Sequence, residues 1–291
     1  MVSRRGLRSH SALWVALALA LAVGGCESTG IGARSAVPES EKTFSATSPT
    51  NIASLTDVVQ RNPNDPQAHN MRGTVYGQAG RYPEALADFN KAISLDPNYA
   101  QAYANRGLIH RQTGKLDLAL ADYNRALTID PSYATAYLGR GLAQRERRQL
   151  ILSLNDFNKS IALRPDNAEA YYNRGLLYQS QRQHQFAIDD FSTAVGLSPR
   201  QAEPLIARGL SYLAIKDLKA ASSDLDEAVS VEPQSLQAWT SRGFVYEQMN
   251  DKEKAAGSYA KALNIRKDYE PARTGFTRIG GQFGQPYQTF N

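Results

Sequence analysis

Cysteine is almost missing from this chain. Its 291 residues include one, Cys26, so no disulfide can close within it. Long apolar runs are missing too: the run from Ala12 to Val23 covers 12 residues, where a spanning helix needs about 20. There is no G-x-S-x-G, no H-E-x-x-H and no G-x-x-x-x-G-K-[ST], which removes the common signatures of hydrolases, zinc proteases and nucleotide-binding loops. Beyond residue 25 the histidines are His69, His110 and His184, widely separated and with no cysteine nearby, so metal-ligand spacing is absent. Acidic residues are spread along the chain, and none form a pair marked out to face one cleft, as glycoside hydrolysis needs. Catalytic residues, metal ligands, a cofactor and a small-molecule substrate are therefore not expected, and the chain reads as a non-enzyme. The net charge is +5. Arg4, Arg5 and Arg8 lie in a segment expected to be removed, and leaving out these three lowers +5 to +2. That is too little to suggest a nucleic-acid footprint, which gathers basic residues on one face.

What the chain has instead is a strict period. Glycines stand at 73, 107, 141, 175, 209 and 243, each preceded by an arginine, and prolines at 97, 131, 165, 199 and 233. The interval is 34 throughout. Within the unit around Ala168–Gln201, Tyr171, Gly175 and Tyr178 fall on one helical face. Ala187, Phe191 and Ala194 fall on a second, and Pro199 stops that helix by lacking an N–H. A two-helix hairpin this small cannot bury its own apolar face, so it needs copies on both sides.

The first aromatic slot holds His69, Tyr103, Tyr137, Tyr171, Leu205 and Trp239. The second holds Phe89, Tyr123, Phe157, Phe191, Leu225 and Tyr259, each four residues after Ala85, Ala119, Ser153, Ala187, Ala221 or Ala255. In this pattern the chain resembles the tetratricopeptide repeat, with its W-x2-L-G-x2-Y, A-x3-F and P positions. The resemblance covers residues 66–269 and implies an all-α, right-handed superhelical solenoid of six helix-turn-helix units. Residues 51–65 are expected to form an N-terminal half-repeat, with Leu55 and Val58 spaced like Phe89 and Ala92. Residues 270–279 are expected to form a C-terminal capping helix, and 280–291 a disordered tail. The chain departs from the family where leucine precedes the glycine: here it is always arginine. An aspartate recurs at the same interval, at 88, 122, 156, 190 and 224, until Ser258 breaks the series. Arginine and aspartate are expected to pair; whether within or between units is open from sequence.

Residues 1–25 have a positive start and a short apolar core, as secretory signals do. Val23-Gly24-Gly25-Cys26 resembles a bacterial lipobox, which implies lipidation of Cys26, while Ala20-Leu21-Ala22 offers ordinary cleavage as the alternative. Residues 26–50 are rich in Ser, Thr, Gly and Pro and read as a disordered tether. The expected location is the periplasmic face of the bacterial cell envelope, as an outer-membrane lipoprotein.

The resemblance also implies that the first helix of each unit lines a concave groove. One residue after the glycine stand Leu108, Leu142, Leu176, Leu210 and Phe244. Four residues earlier stand Leu138, Tyr172 and Ile206, and three later Arg111 and Arg145. These are the candidate partner-binding residues, expected to form an exposed apolar strip, since such strips mark binding sites. The alternative is that the leucines only pack between helices. The expected function is a lipid-anchored scaffold holding a peptide or helix of another protein, with cell-wall enzymes as candidate partners. A pilotin-like assembly chaperone for an outer-membrane secretion or pilus component is the alternative.

Overall fold

The computed structural model describes residues 48–281. Among them are fourteen α-helices and no strand. A first helix, α1 (Pro49–Arg61), precedes six hairpins: α2 (Pro66–Gln78) with α3 (Tyr82–Leu95), α4 (Ala100–Gln112) with α5 (Leu116–Ile129), α6 (Ala134–Glu146) with α7 (Leu150–Leu163), α8 (Ala168–Ser180) with α9 (His184–Leu197), α10 (Ala202–Ala214) with α11 (Leu218–Val231), and α12 (Leu236–Gln248) with α13 (Lys252–Ile265). A last helix, α14 (Glu270–Arg278), packs on α13 and α12. Each helix packs on its neighbours in sequence, and the first helix of each hairpin also meets the first helix of the next. This is a stack of units with no single core.

Helix α1 begins at Pro49, inside the stretch expected to be tether, because Ser48 caps it: its side chain accepts from the Asn51 N–H. On α1 the buried valine is Val59; Val58, expected to pack, is exposed. Cys26 and the proposed signal, most of the tether and most of the tail lie outside the described residues.

Every first helix ends in the same way. The N–H of Arg81, Lys115, Gln149, Gln183, Asp217 and Asp251 donates to the carbonyl five residues back, and the residue before each has positive φ. In the first two units that residue is glycine, Gly80 and Gly114. In the next four it is Arg148, Arg182, Lys216 and Asn250, at φ between 60° and 65°. This is the left-handed C-cap that glycine fills without strain.

The recurring glycine and the second aromatic form the joint between the two helices of a unit. A Cβ at Gly175 would stand 2.6 Å from the Phe191 ring, and one at Gly141 2.8 Å from Phe157. Phe89, Phe157, Phe191 and Leu225 are fully or almost fully buried. Tyr123 and Tyr259 are buried likewise and also reach the next first helix, leaving no room for a Cβ at Gly139 or Gly275. Where the third unit has serine for alanine, Ser153 donates to the Gly141 carbonyl at 2.8 Å and Ser160 to Ala134 at 3.0 Å. Its weaker apolar pattern is thus matched by hydrogen bonds.

In the first five units the arginine before the glycine crosses to the aspartate of its own second helix. Arg174 donates through Nε to Asp190 Oδ2 at 2.8 Å and through Nη2 to Oδ1 at 2.7 Å. Arg72–Asp88, Arg106–Asp122, Arg140–Asp156 and Arg208–Asp224 repeat this fork. The carboxylate raises the pKa of each of these guanidiniums. Nη1 is left over, and it reaches back to the preceding unit: Arg106 to Asn90, Arg140 to Asn124 and Arg174 to Asn158, each at 2.7 Å, and Arg208 to Ser192 at 3.1 Å. In the sixth unit Ser258 replaces the aspartate. Arg242 instead donates to Asp226 of the preceding unit at 2.6 Å and to Ser258 at 2.7 Å. The first aromatic slot serves the arginine as well: the Tyr103, Tyr137, Tyr171 and Trp239 rings lie 5.5–5.6 Å from the guanidinium three residues on.

Gly175→Ala is expected to destabilise the array by about 1–3 kcal/mol, since the methyl group meets a buried ring that cannot move freely. Gly196→Ala, where a Cβ meets nothing within 4 Å, is expected to be neutral or stabilising. Urea denaturation of the two variants checks this.

Candidate functional site

The ten groove candidates do not form one open strip. Leu138, Leu142 and Ile206 are buried, at 5%, 7% and 2% exposure. This corrects the expectation of an exposed apolar wall. Neighbours from the same unit and from the next close over them: Leu138 and Leu142 pack with Phe157 of their own unit and with Ala170 and Leu177 of the next, and Ile206 packs with Leu205 and Leu225 of its own unit and Val245 of the next. Tyr172 and Leu176 are half-buried against Phe191 and Ala207, with the Tyr172 and Phe191 rings 5.9 Å apart. Leu210 is half-buried against the Ile206 cluster. Leu108 and Phe244 are exposed, and Arg278 of α14 stands 5.6 Å over the Phe244 ring.

The two arginines expected on one side of the groove are committed to neighbours. Arg111 donates to Glu146 at 2.7 Å, and Arg145 to Asn173 at 2.9 Å. Burial lowers the Arg145 pKa. Beneath Arg111 lies Tyr123, whose hydroxyl pKa burial pushes up to about 12. The same stripe carries further bonds between units. Gln179 donates to the Ala207 carbonyl at 2.9 Å and to Ser211 at 2.8 Å, and Asn105 to Asn70 at 2.9 Å. The concave wall is therefore stitched by polar bonds from one first helix to the next.

Two of the candidates do meet in an opening. Leu138 and Tyr172 line a cleft of about 700 Å³ with Thr135, Glu169, Glu203 and Pro204. Its border comes from the connections between units, including Arg164, Asp166, Asn167 and Gln201. A second cleft, of about 460 Å³, is lined by Gln101 and Tyr133 among others and shares Thr135 and Arg164 with the first. Thr135, Glu169 and Glu203 escaped the sequence reading, yet each stands three residues before Leu138, Tyr172 or Ile206, on the same helical face one turn earlier. Arg164, Asp166, Glu169 and Glu203 are exposed, and none has an ion pair among the described residues. Among those residues no group of His, Cys, Asp and Glu is arranged to hold a metal ion.

A family model described as a tetratricopeptide repeat matches residues 52–100, 70–134 and 206–271, and two further repeat models match 168–201 and 149–181. The chain belongs to the tetratricopeptide repeat family. Its fold is the all-α superhelical array of that family, and as a repeat protein of this kind it is a protein-interaction scaffold, a class that binds other proteins or peptides. Among solved structures it is similar to YrrB, described as a repeat protein with an unusual peptide-binding site. The identity is 26% and the TM-score 0.55, over 65% of this chain and 97% of that one. It also shares its fold with a chain of the APC/C hetero-tetramer Cut9–Hcn1 (19% identity, TM-score 0.70, 80% of this chain) and with PilF of Pseudomonas aeruginosa (17%, 0.66, 73% of this chain and 97% of that one). The chain spans only 46% of the Cut9–Hcn1 chain. A comparison with curated proteins finds no match in sequence.

Leu142→Arg is expected to cost several kcal/mol, because a guanidinium would be buried without a partner. Leu108→Arg, on an exposed site of the same stripe, is expected to stay within about 0.5 kcal/mol of the parent. Thermal unfolding of both variants separates packing positions from surface positions.

Proposed function

We propose that this chain is a non-catalytic adaptor, tethered by a lipid on Cys26 to the periplasmic face of a bacterial outer membrane, that holds an extended peptide of a cell-envelope protein along its concave face. The observation that carries the peptide reading is the cleft across the third, fourth and fifth units. It is open, it has Leu138 and Tyr172 in its lining, and it carries the exposed carboxylates of Glu169 and Glu203. Such a site suits an apolar side chain next to a lysine or arginine, which would lie near the Tyr172 ring and those carboxylates. The likeness to YrrB, a protein with a peptide-binding site, supports a peptide over a folded domain.

The anchor reading rests on sequence alone: a short apolar run, then Val23-Gly24-Gly25 before the single cysteine. Among the described residues no helix is long and apolar enough to cross a membrane. Several acyl chains would hold such a protein firmly, where a single chain holds it only marginally.

Photocrosslinking from Leu108 and Tyr172 in intact cells tests the site. The expected result is one recurrent partner, lost when Glu169 and Glu203 are both changed to Gln. A crosslinking pattern untouched by that double change contradicts the cleft reading. The partner's nature then separates the functions: a cell-wall hydrolase fits an adaptor, and a secretin or pilus subunit fits the assembly chaperone. Cys26→Ser is expected to move the protein from the membrane to the soluble fraction on cell fractionation; retention at the membrane contradicts lipidation.

A further inference from the structure

The edge of the array formed by the turns inside the units carries two features that packing does not require. The first is charge in strained backbone. Arg148, Arg182 and Lys216 recur at the repeat interval, and all three occupy the left-handed turn position that glycine fills in the first two units. A non-glycine residue there is strained, and none of the three has an ion pair among the described residues. The second is exposed apolar surface beside them. Leu118, Ile151, Leu152 and Phe186, in the first turns of α5, α7 and α9, are 51%, 77%, 50% and 60% exposed, and Ile215 precedes Lys216 at 45%. Leu118, Leu152 and Phe186 share one repeat position, which holds Glu84 in the first unit and Lys254 in the sixth. In the third to fifth units exposed apolar residues thus stand beside the basic turn positions; Leu118 in the second unit and Met249 in the sixth, 42% exposed, flank them.

The neighbouring acids are already engaged. Asp117 pairs with Arg147, Glu146 with Arg111, and Asp217 accepts from the N–H of Ala220. Asp189 accepts from Gln185. Lys115 and Lys219 stand exposed on the same edge. The clefts described above lie at the opposite edge, among the connections between units, whereas the turn edge offers protruding side chains. Protruding apolar side chains between unpaired cations fit a negatively charged lipid surface: the apolar groups enter the interface and the cations meet phosphates.

We infer that the turn edge of the third to fifth units lies on an anionic membrane surface. The inference does not depend on the groove reading or on the lipid anchor. The test uses the full chain carrying Cys26→Ser and Ile151→Cys, so that an environment-sensitive fluorophore can be placed at one thiol. Vesicles of phosphatidylcholine with phosphatidylglycerol are expected to blue-shift the probe, in a salt-sensitive way, while pure phosphatidylcholine leaves it unchanged. The triple change Arg148→Gly, Arg182→Gly and Lys216→Gly restores the residue the turn prefers, so it keeps the fold while removing three charges. It is expected to raise the lipid needed for half the response on the order of a hundredfold, at roughly fivefold for each cation removed. A probe at Leu108→Cys in the Cys26→Ser chain is expected to stay in water throughout. An equal response on neutral vesicles, no response on either, or an unchanged response in the triple variant overturns the inference. So does a shift that appears only when a protein partner is added, which would make this edge a protein-docking face.

Discussion

The second to fifth units of this array are each held by a guanidinium that spends its donors in two directions. The fork formed by Nε and Nη2 closes on the aspartate of the same hairpin, and Nη1 returns to the preceding hairpin. The geometry of a planar guanidinium makes this division possible; a lysine ammonium has no such fork. The aspartates are buried, so their charge is tolerable only while the fork is in place. A buried pair of this kind need not add net stability over an apolar pair of equal size, but loss of one partner leaves a stranded charge. The ladder is therefore best understood as setting register: it fixes how the two helices of a unit cross and which neighbour each unit faces. The sixth unit shows the constraint by exception. With Ser258 in place of the aspartate, Arg242 turns to Asp226 of the preceding unit, and the array still closes.

Packing follows from that register. The glycine beside each arginine lets the ring of the second helix sit against bare backbone, and the first helices then stand close enough for polar side chains to bridge them. The same closeness shuts much of the concave wall. What the array leaves for a partner is not a continuous apolar trough but an opening at the starts of α6, α8 and α10, with Leu138 and Tyr172 in its lining and carboxylates around it. A second surface, the turn edge, carries exposed apolar and basic residues besides those, such as Asp117 and Arg147, that pair between units. The two lie on opposite edges, so a peptide and a membrane surface could be engaged at once.

Much of the fold was legible in the sequence because a period of 34 leaves few alternatives: the helix pairs, their turns and the pairing of arginine with aspartate all follow from it. The choice of pairing within a unit was not legible, since both choices obey the same spacing; Asn90, Asn124 and Asn158 share the period of 34 but nothing in that period tells a bonded side chain from a solvated one. The groove was read less well. Whether a leucine facing the groove stays open depends on both units around it: Phe157 of the same unit and Leu177 of the next pack with Leu138 and Leu142, whereas Leu108 is exposed and the position of Leu177 in the unit after it holds Ala143. One repeat position thus has a different environment in each unit, which a spacing rule cannot resolve. Thr135, Glu169 and Glu203 were within reach of the helical period, one turn before residues already singled out. The basic turn residues were also in plain view, but only their positive φ separates them from ordinary surface charge.

The account stands most directly on a double-mutant cycle at Arg174 and Asp190, with Arg174→Met, Asp190→Leu and the double variant compared by urea unfolding. Each single change is expected to cost about 3–5 kcal/mol, and the double change far less than the two together, because no charge is then left buried alone. Costs that simply add, with a coupling below about 0.5 kcal/mol, would contradict the claim that this pair sets the register of the array.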